Sequence, residues 1–392
     1  MSLRAWYGAL MNDESRIAQL PGLLLDWFAR HRRPLPWRAH YSPYATWIAE
    51  IMLQQTQMDR GVDYFNRWME RFPTIESVAQ ADDDALLKAW EGLGYYRRVR
   101  HLKATAQAIM TRFGGKFPED PQQMLSLPGI GAYTAGAIAS TAFNLPVPCV
   151  DGNVERVLSR VFDIDSPVRV EPARSRIREL AAALIPPGKA REFNQALMEF
   201  GALVCRKKPD CADCPVAAIP GLCQSLHLGI VQERPVLGRS SSITPIAVAN
   251  GVLIHQGRLF IQRREEEGVW GGLWEFPGGC MEPGETPEMT VVREWREEVE
   301  FAVEPVASLG VIRHGYTTYR VTMHCFALRF ASAMPPCVAP PALHEACEWK
   351  WISPEEVDRY PMPAPHRKLA DWLQERWSPA GWTAQAVQGC LL

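Results

Sequence analysis

The stretch Leu127-Pro-Gly-Ile-Gly-Ala-Tyr-Thr-Ala-Gly-Ala137 follows one helical pattern and opens another. A Gly-x-Gly turn behind Pro128 points backbone N–H groups outward at a helix N-terminus, which is a ready anion site. Such turns are common between helices, so its meaning depends on the neighbouring segments. After an apolar stretch comes Val150-Asp151-Gly-Asn-Val-Glu-Arg156, with Asp151 at the start of a periodic helix. As an N-cap this carboxylate is expected to stay ionised, stabilised by the helix dipole and the orphan N–H groups. A purely structural cap is the commoner role of such a residue.

Upstream lies Trp47-Ile-Ala-Glu50-Ile-Met-Leu-Gln-Gln-Thr56. A carboxyl embedded in an apolar helical run should have a raised pKa and serve as a general acid. The ordinary alternative is an exposed carboxylate on a solvated helix face. Gln54 falls one turn on, on the same side. One carboxyl in apolar surroundings and another at a polar cap have separated pKa values. That arrangement suits protonation of a departing group beside stabilisation of a cation.

Farther out, the chain divides by pattern. Its 392 residues predict two to three domains. Up to about residue 228, apolar residues recur at helical spacing, as in Leu23, Leu24, Trp27 and Phe28 or Val154, Val157, Leu158 and Val161. Residues 229–243 (GIVQERPVLGRSSSI) read as a linker. From 244 to 377 β-type runs surround a helix at Pro287 to Glu298, with a last helix near 365–376 and a tail at 378–392, an α+β domain. The 47% hydrophobic and 22% charged composition excludes a disordered or collagen-like chain. No run of about 18 apolar residues exists to span a membrane. The charged start MSLRAWYGALMNDES lacks a signal peptide's apolar run, so a cytoplasmic location is expected. Residues 1–230 hold 27 Lys and Arg against 24 Asp and Glu, and residues 231–392 hold 15 against 20. A mildly basic front half permits nucleic-acid binding without demanding it.

Cys205, Cys211, Cys214 and Cys223 are spaced C-x5-C-x2-C-x8-C. Four thiols so close, in a chain without an export signal, suit Zn²⁺ or a [4Fe–4S] cluster rather than disulfides. Structural zinc usually presents two CxxC pairs. Here there is one, which favours the cluster. Arg206, Lys207 and Lys208 inside the loop suit phosphate contact, or simply a solvated face.

Taken in order, these motifs resemble the helix-hairpin-helix DNA glycosylase superfamily, and its adenine-excising branch in particular. The resemblance also draws on Leu35-Pro-Trp-Arg38, Glu91-Gly-Leu-Gly-Tyr-Tyr96 and Asn194-Gln-Ala-Leu-Met198, and covers essentially the whole chain. It implies an all-α glycosylase domain over 1–228, containing the hairpin 127–137 and an Fe–S loop 205–223, followed by the α+β domain. It implies a monomer acting on double-stranded DNA in base-excision repair, removing adenine opposite 8-oxoguanine or guanine. Glu50 resembles the acid that protonates the adenine and activates water, and Asp151 the carboxylate that stabilises the sugar cation. Tyr133 and Asn153 resemble their catalytic neighbours. Trp37, Arg38 and Gln195 would line the adenine pocket, with Gln54 beside them. Gln55 and Tyr95 would wedge into the duplex, and Gly129 and Gly131 would approach its backbone. Bifunctional relatives carry a Lys where this chain has Tyr133. A phenol cannot form a Schiff base, so the resemblance implies a monofunctional enzyme. The family's cysteine spacing is x6, x2, x5, so the loop here departs from it.

Gly279-Cys-Met-Glu-Pro-Gly-Glu285 and Arg293-Glu-Trp-Arg-Glu-Glu298 resemble a Nudix box, except that Glu300 stands where a Gly is expected. In hydrolases of that family Glu294, Glu297 and Glu298 would bind Mg²⁺. In the glycosylase branch the domain reads the lesion, and the reading loop corresponds to His314–Tyr319, with Tyr316 and Thr317 as its contacts. The alternative is a domain that also hydrolyses nucleoside triphosphates such as 8-oxo-dGTP. A stand-alone pyrophosphohydrolase and a non-catalytic lesion binder are the other rivals, and the paired carboxylates Glu50 and Asp151 speak against both.

Overall fold

The computed structural model describes residues 11–238, 242–316, 318–332 and 340–376, the side chain of Tyr316 excepted. The proposed lesion contacts Tyr316 and Thr317 therefore lie outside the described side chains, as does the tail from 377. The chain forms two compact units. One comprises Met1–Gln80 with His101–Ser240, the other Ala81–Arg100 with Ser241–Leu392.

The first unit is helical. Asp13–His31 is capped by the Asn12 side chain, and Pro43–Leu53 by the Ser42 side chain with Pro43 at its first position. The helix Asp13–His31 buries Leu20, Leu24, Trp27 and Phe28, while Leu23 is only partly buried. They pack with Val154, Val157, Leu158 and Val161 of the helix Gly152–Val161 and with Phe193, Leu197 and Phe200 of Ala190–Leu203. Each such large apolar side chain contributes about 1.5–3 kcal/mol when fully buried. The latter two helices approach closely, because a Cβ on Gly201 would stand 2.7 Å from the Asn153 Cβ. The first part of the predicted linker is tied to this unit. Arg160 donates from Nε to the Val231 and Arg234 carbonyls, and the Val168 N–H donates to the Val236 carbonyl.

Among the described residues, the second unit is built on a seven-stranded sheet. Its strands are β1 (Thr244–His255), β2 (Arg258–Arg264), β3 (Trp274–Glu275), β4 (Gly278–Cys280), β5 (Val303–Tyr316), β6 (Tyr319–Phe330) and β7 (Ala346–Ile352). The order is β3-β2-β1-β6-β5, with β4 pairing β1 and β7 pairing β2. β1 and β6 are parallel, whereas β5 and β6 form a long antiparallel pair. The helix Pro287–Val299 packs Val291, Trp295 and Val299 into one core cluster, and Ala364–Arg376 packs Leu369, Trp372 and Leu373 into another. Both helices match their sequence-based bounds within a residue or two.

Residues 81–100 group with the sheet rather than with the helices. Glu91 accepts hydrogen bonds from the Met362 N–H and from Arg367 Nε, both at 2.9 Å. Arg263 pairs with Asp84 at 3.0 Å, and the Tyr96 hydroxyl donates to the Met362 carbonyl.

Candidate active site

The helix Pro43–Leu53 is apolar on nearly every face, and Glu50 is its carboxylate in an otherwise buried run. The helix Gly152–Val161 begins at Asp151, whose Oδ1 accepts from the N–H groups of Asn153 and Val154 at 2.9 and 2.8 Å. The two carboxyls border one cavity of about 400 Å³. Trp37, Arg38, Gln54, Gln55, Tyr133, Asn153 and Gln195 line the same cavity, so most of the residues singled out in the sequence meet there.

Burial pushes the Glu50 carboxyl up to about 7, and the nearby Asp151 pushes the same way. A hydrogen bond from Tyr133 and the positive charge of Arg38 pull it down. That bond runs from the Tyr133 hydroxyl to Glu50 Oε2 at 2.6 Å. Asp151 is also raised from its ordinary value. Burial outweighs the opposing bonds from Val154, from Asn153 and the charge of Arg156. The cap thus has its expected geometry, but burial counteracts the low pKa expected of it.

A second layer of the cavity is centred on Glu199, which the sequence motifs do not single out. Glu199, buried on the helix Ala190–Leu203, accepts five hydrogen bonds: three from Arg33 and two from Arg38, at 2.8 to 3.3 Å. Burial alone would raise its carboxyl, but the two guanidinium groups outweigh that and hold it at about 2. Arg38 also donates from Nε to Gln195 Oε1 at 2.9 Å, and Gln195 Nε2 donates to the Arg191 carbonyl at 3.0 Å. Glu199 follows Gln195 by one helical turn, a spacing visible in the sequence. Its pairing with arginines some 160 residues away is not.

Three of the remaining candidates lie outside the cavity lining, and Gln55 lies within it. Gly129 sits at φ +72°, and a Cβ there would stand 2.6 Å from His101, so the turn requires glycine. Gly131 has an extended backbone at the cap of Ala132–Thr141, with open space where a Cβ would be. Gln55 adopts φ +60° at the cavity edge. Tyr95 adopts φ +51° and belongs to the other unit.

Cys205, Cys214 and Cys223 pack against the helical core. Burial raises the Cys211, Cys214 and Cys223 thiols, and each is raised further by the charge of Cys205. Arg160 braces the loop, donating to the carbonyls of Arg206 at 2.6 Å and Lys207 at 3.1 Å and approaching Cys205 Sγ at 3.4 Å. Four thiols within electrostatic reach of one another fit a four-thiolate donor set. Among the described residues, however, no three His, Cys, Asp or Glu side chains are already closed around one point.

Among the described residues no three of the Nudix-box glutamates close around one point, although Glu294 lies within electrostatic reach of Glu297 and Glu298. Arg293 pairs with Glu285, Glu294 and Glu297 at 2.7, 2.9 and 2.9 Å. Glu298 turns inward instead, accepting from the Gly278 N–H and from Gln262 Nε2, both at 3.0 Å. Glu300 occupies a left-handed position at φ +58°, as the Gly it replaces would.

No helix among the described residues is long and apolar enough to cross a membrane. Residues 48–187 match the HhH-GPD superfamily of base excision DNA repair proteins, and residues 249–372 match the NUDIX domain. The chain is 30% identical over 406 residues to the adenine DNA glycosylase of Homo sapiens, spanning 88% of this chain and 72% of that protein. It is 31% identical to that of Rattus norvegicus, spanning 88% and 76%. Among solved structures, a thermostable thymine-DNA glycosylase superposes with a TM-score of 0.50 at 28% identity, covering 55% of this chain and 98% of that one. With the Glu50–Tyr133–Asp151 cavity carried on this fold, the chain belongs to the adenine DNA glycosylase family.

Proposed function

We propose that the chain excises adenine lying opposite 8-oxoguanine, and less readily opposite guanine, acting as a monomer with Glu50 and Asp151 as its catalytic pair. The observation that carries the reading is one cavity holding both carboxyls, with the Tyr133 hydroxyl hydrogen-bonded to Glu50. The target base must leave the duplex to reach it, at a cost of a few kcal/mol. A carboxyl with a pKa near 7 is substantially protonated at neutral pH. Glu50 gives that proton to a ring nitrogen of adenine, the N-glycosidic bond breaks, and its electron pair leaves with the base. Asp151 stabilises the positive sugar. Water then adds to the anomeric carbon and returns its proton to the Glu50 carboxylate, leaving an abasic site. Tyr133 offers no amine to the opened sugar, so the backbone is not cut.

The four cysteines would hold a [4Fe–4S] cluster, a covalent clamp on the loop that carries Arg206, Lys207 and Lys208. The sheet unit supports a lesion reader better than a hydrolase. Arg293 is ion-paired with Glu294 and Glu297, and Glu298 accepts internal hydrogen bonds. Mg²⁺ binding at this box is the secondary reading, carried only by the presence of the glutamates.

The test is base release from an A·8-oxoguanine duplex and an A·G duplex, run beside incubation with 8-oxo-dGTP and Mg²⁺. Adenine release from both duplexes, faster from the first, with the nucleotide left intact, is expected. Pyrophosphate release without base release would overturn the reading.

A further inference from the structure

Thr46 lies on the helix Pro43–Leu53, one turn before Glu50 and on the same face. It is 1% exposed and lines the cavity. A helical threonine commonly returns its hydroxyl to the carbonyl one turn back. Here the Ser42 carbonyl takes the Thr46 N–H at 2.9 Å, and the hydroxyl has no hydrogen-bond partner among the described residues. Leaving a buried hydroxyl unpaired costs stability, and in native proteins such groups call for an explanation.

Several of the other polar groups around the cavity are committed. Glu199 is saturated by Arg33 and Arg38. Gln195 is engaged at both ends of its amide. The Tyr133 proton is given to Glu50, and Asp151 accepts from Asn153 and Val154. The two arginines can only donate. An exocyclic amine entering this cavity is a donor and needs an acceptor. The Thr46 oxygen is a buried acceptor that remains unengaged.

We propose that Thr46 Oγ1 is a specificity-determining contact, accepting a hydrogen bond from the exocyclic amine of the 6-aminopurine extruded into the cavity. The proposal rests on the reading of this cavity as the base site. It also implies that the hydroxyl is kept at the expense of the free protein's stability.

The test uses the full chain, its Thr46→Val and Thr46→Ser variants, and single-turnover base release opposite 8-oxoguanine. The target base is either adenine or purine lacking the 6-amino group. Thr46→Val, nearly isosteric, should slow adenine release roughly tenfold, the size of one hydrogen bond. It should leave release of the unsubstituted purine unchanged and melt no lower than the parent. Thr46→Ser should restore the adenine rate. Equal losses on both bases, no loss on adenine, or a lower melting temperature for Thr46→Val would overturn the proposal. Glu50→Gln separates the two readings. If that variant still released adenine at the parent rate, the cavity would not be the base site and Thr46 would fall with it. If only the Thr46 result failed, the base site would stand.

Discussion

The Tyr133 hydroxyl donates to Glu50 Oε2 at 2.6 Å, joining the helix that follows the glycine turn to the helix that carries the partly buried acid. This bond favours the ionised form of Glu50, whereas burial and Asp151 favour the neutral form. If Glu50 is the acid, as proposed, the balance near 7 sets the pH range of the reaction. In the proposed mechanism excision uses protonated Glu50, so the single-turnover rate should fall as pH rises through about 7. Removing the bond in Tyr133→Phe should move that alkaline limb to higher pH. A limb that stays put, or moves lower, would show that the bond does not tune the acid.

The same shift bears on stability. Glu50 has a folded pKa of about 7 against an ordinary 4.5. The stability linked to its proton is therefore fully present below about 4.5 and lost as pH rises through about 7. The loss is on the order of 3 kcal/mol. Glu50→Gln, neutral throughout, should melt higher than the parent at pH 8 and about level with it at pH 4.5. Equal melting temperatures at pH 8 would contradict this.

Glu199 has the opposite sign. Arg33 and Arg38 hold its carboxyl at about 2, so its contribution is present above its ordinary 4.5 and lost as pH falls through about 2. Glu199→Gln leaves two partly buried guanidinium groups without their countercharge. At neutral pH it should cost roughly 3–5 kcal/mol, measured by urea unfolding. A change under about 1 kcal/mol would mean the cluster is solvated.

Glu50 and Asp151 are legible because each stands in a distinctive local pattern. One is a lone acid in an apolar helix, the other a cap before a periodic one. Gly129 is legible as a turn residue, and the structure explains it by a positive φ with His101 crowding the missing Cβ. Glu199 and Thr46 are not, since an acid one turn past Gln195 and a threonine in a helix look ordinary until burial is known. The rise in Asp151's pKa is hidden for the same reason. The helical pattern read up to about residue 228 takes in Asp83–Trp90 but is silent on its neighbours. Its place with the sheet depends on Glu91, Asp84 and distant arginines.

The cysteine loop makes a separate prediction. Purified protein should carry iron and acid-labile sulfide in equal amounts, with broad visible absorbance, and Cys211→Ser should lose much of both. A colourless protein loaded with zinc would contradict the cluster despite the intact four-thiol set.

The central claim is that Asp151 stabilises the sugar cation within a cavity where Glu50 protonates the base. Asp151→Asn tests it most directly, because Asn caps a helix about as well as Asp and the fold should change by under ~1 kcal/mol. The measurement is single-turnover adenine release from an A·8-oxoguanine duplex, alongside equilibrium binding to the same duplex. We expect binding within a few-fold of the parent and excision reduced below detection. Adenine release at the parent rate by Asp151→Asn would contradict the account.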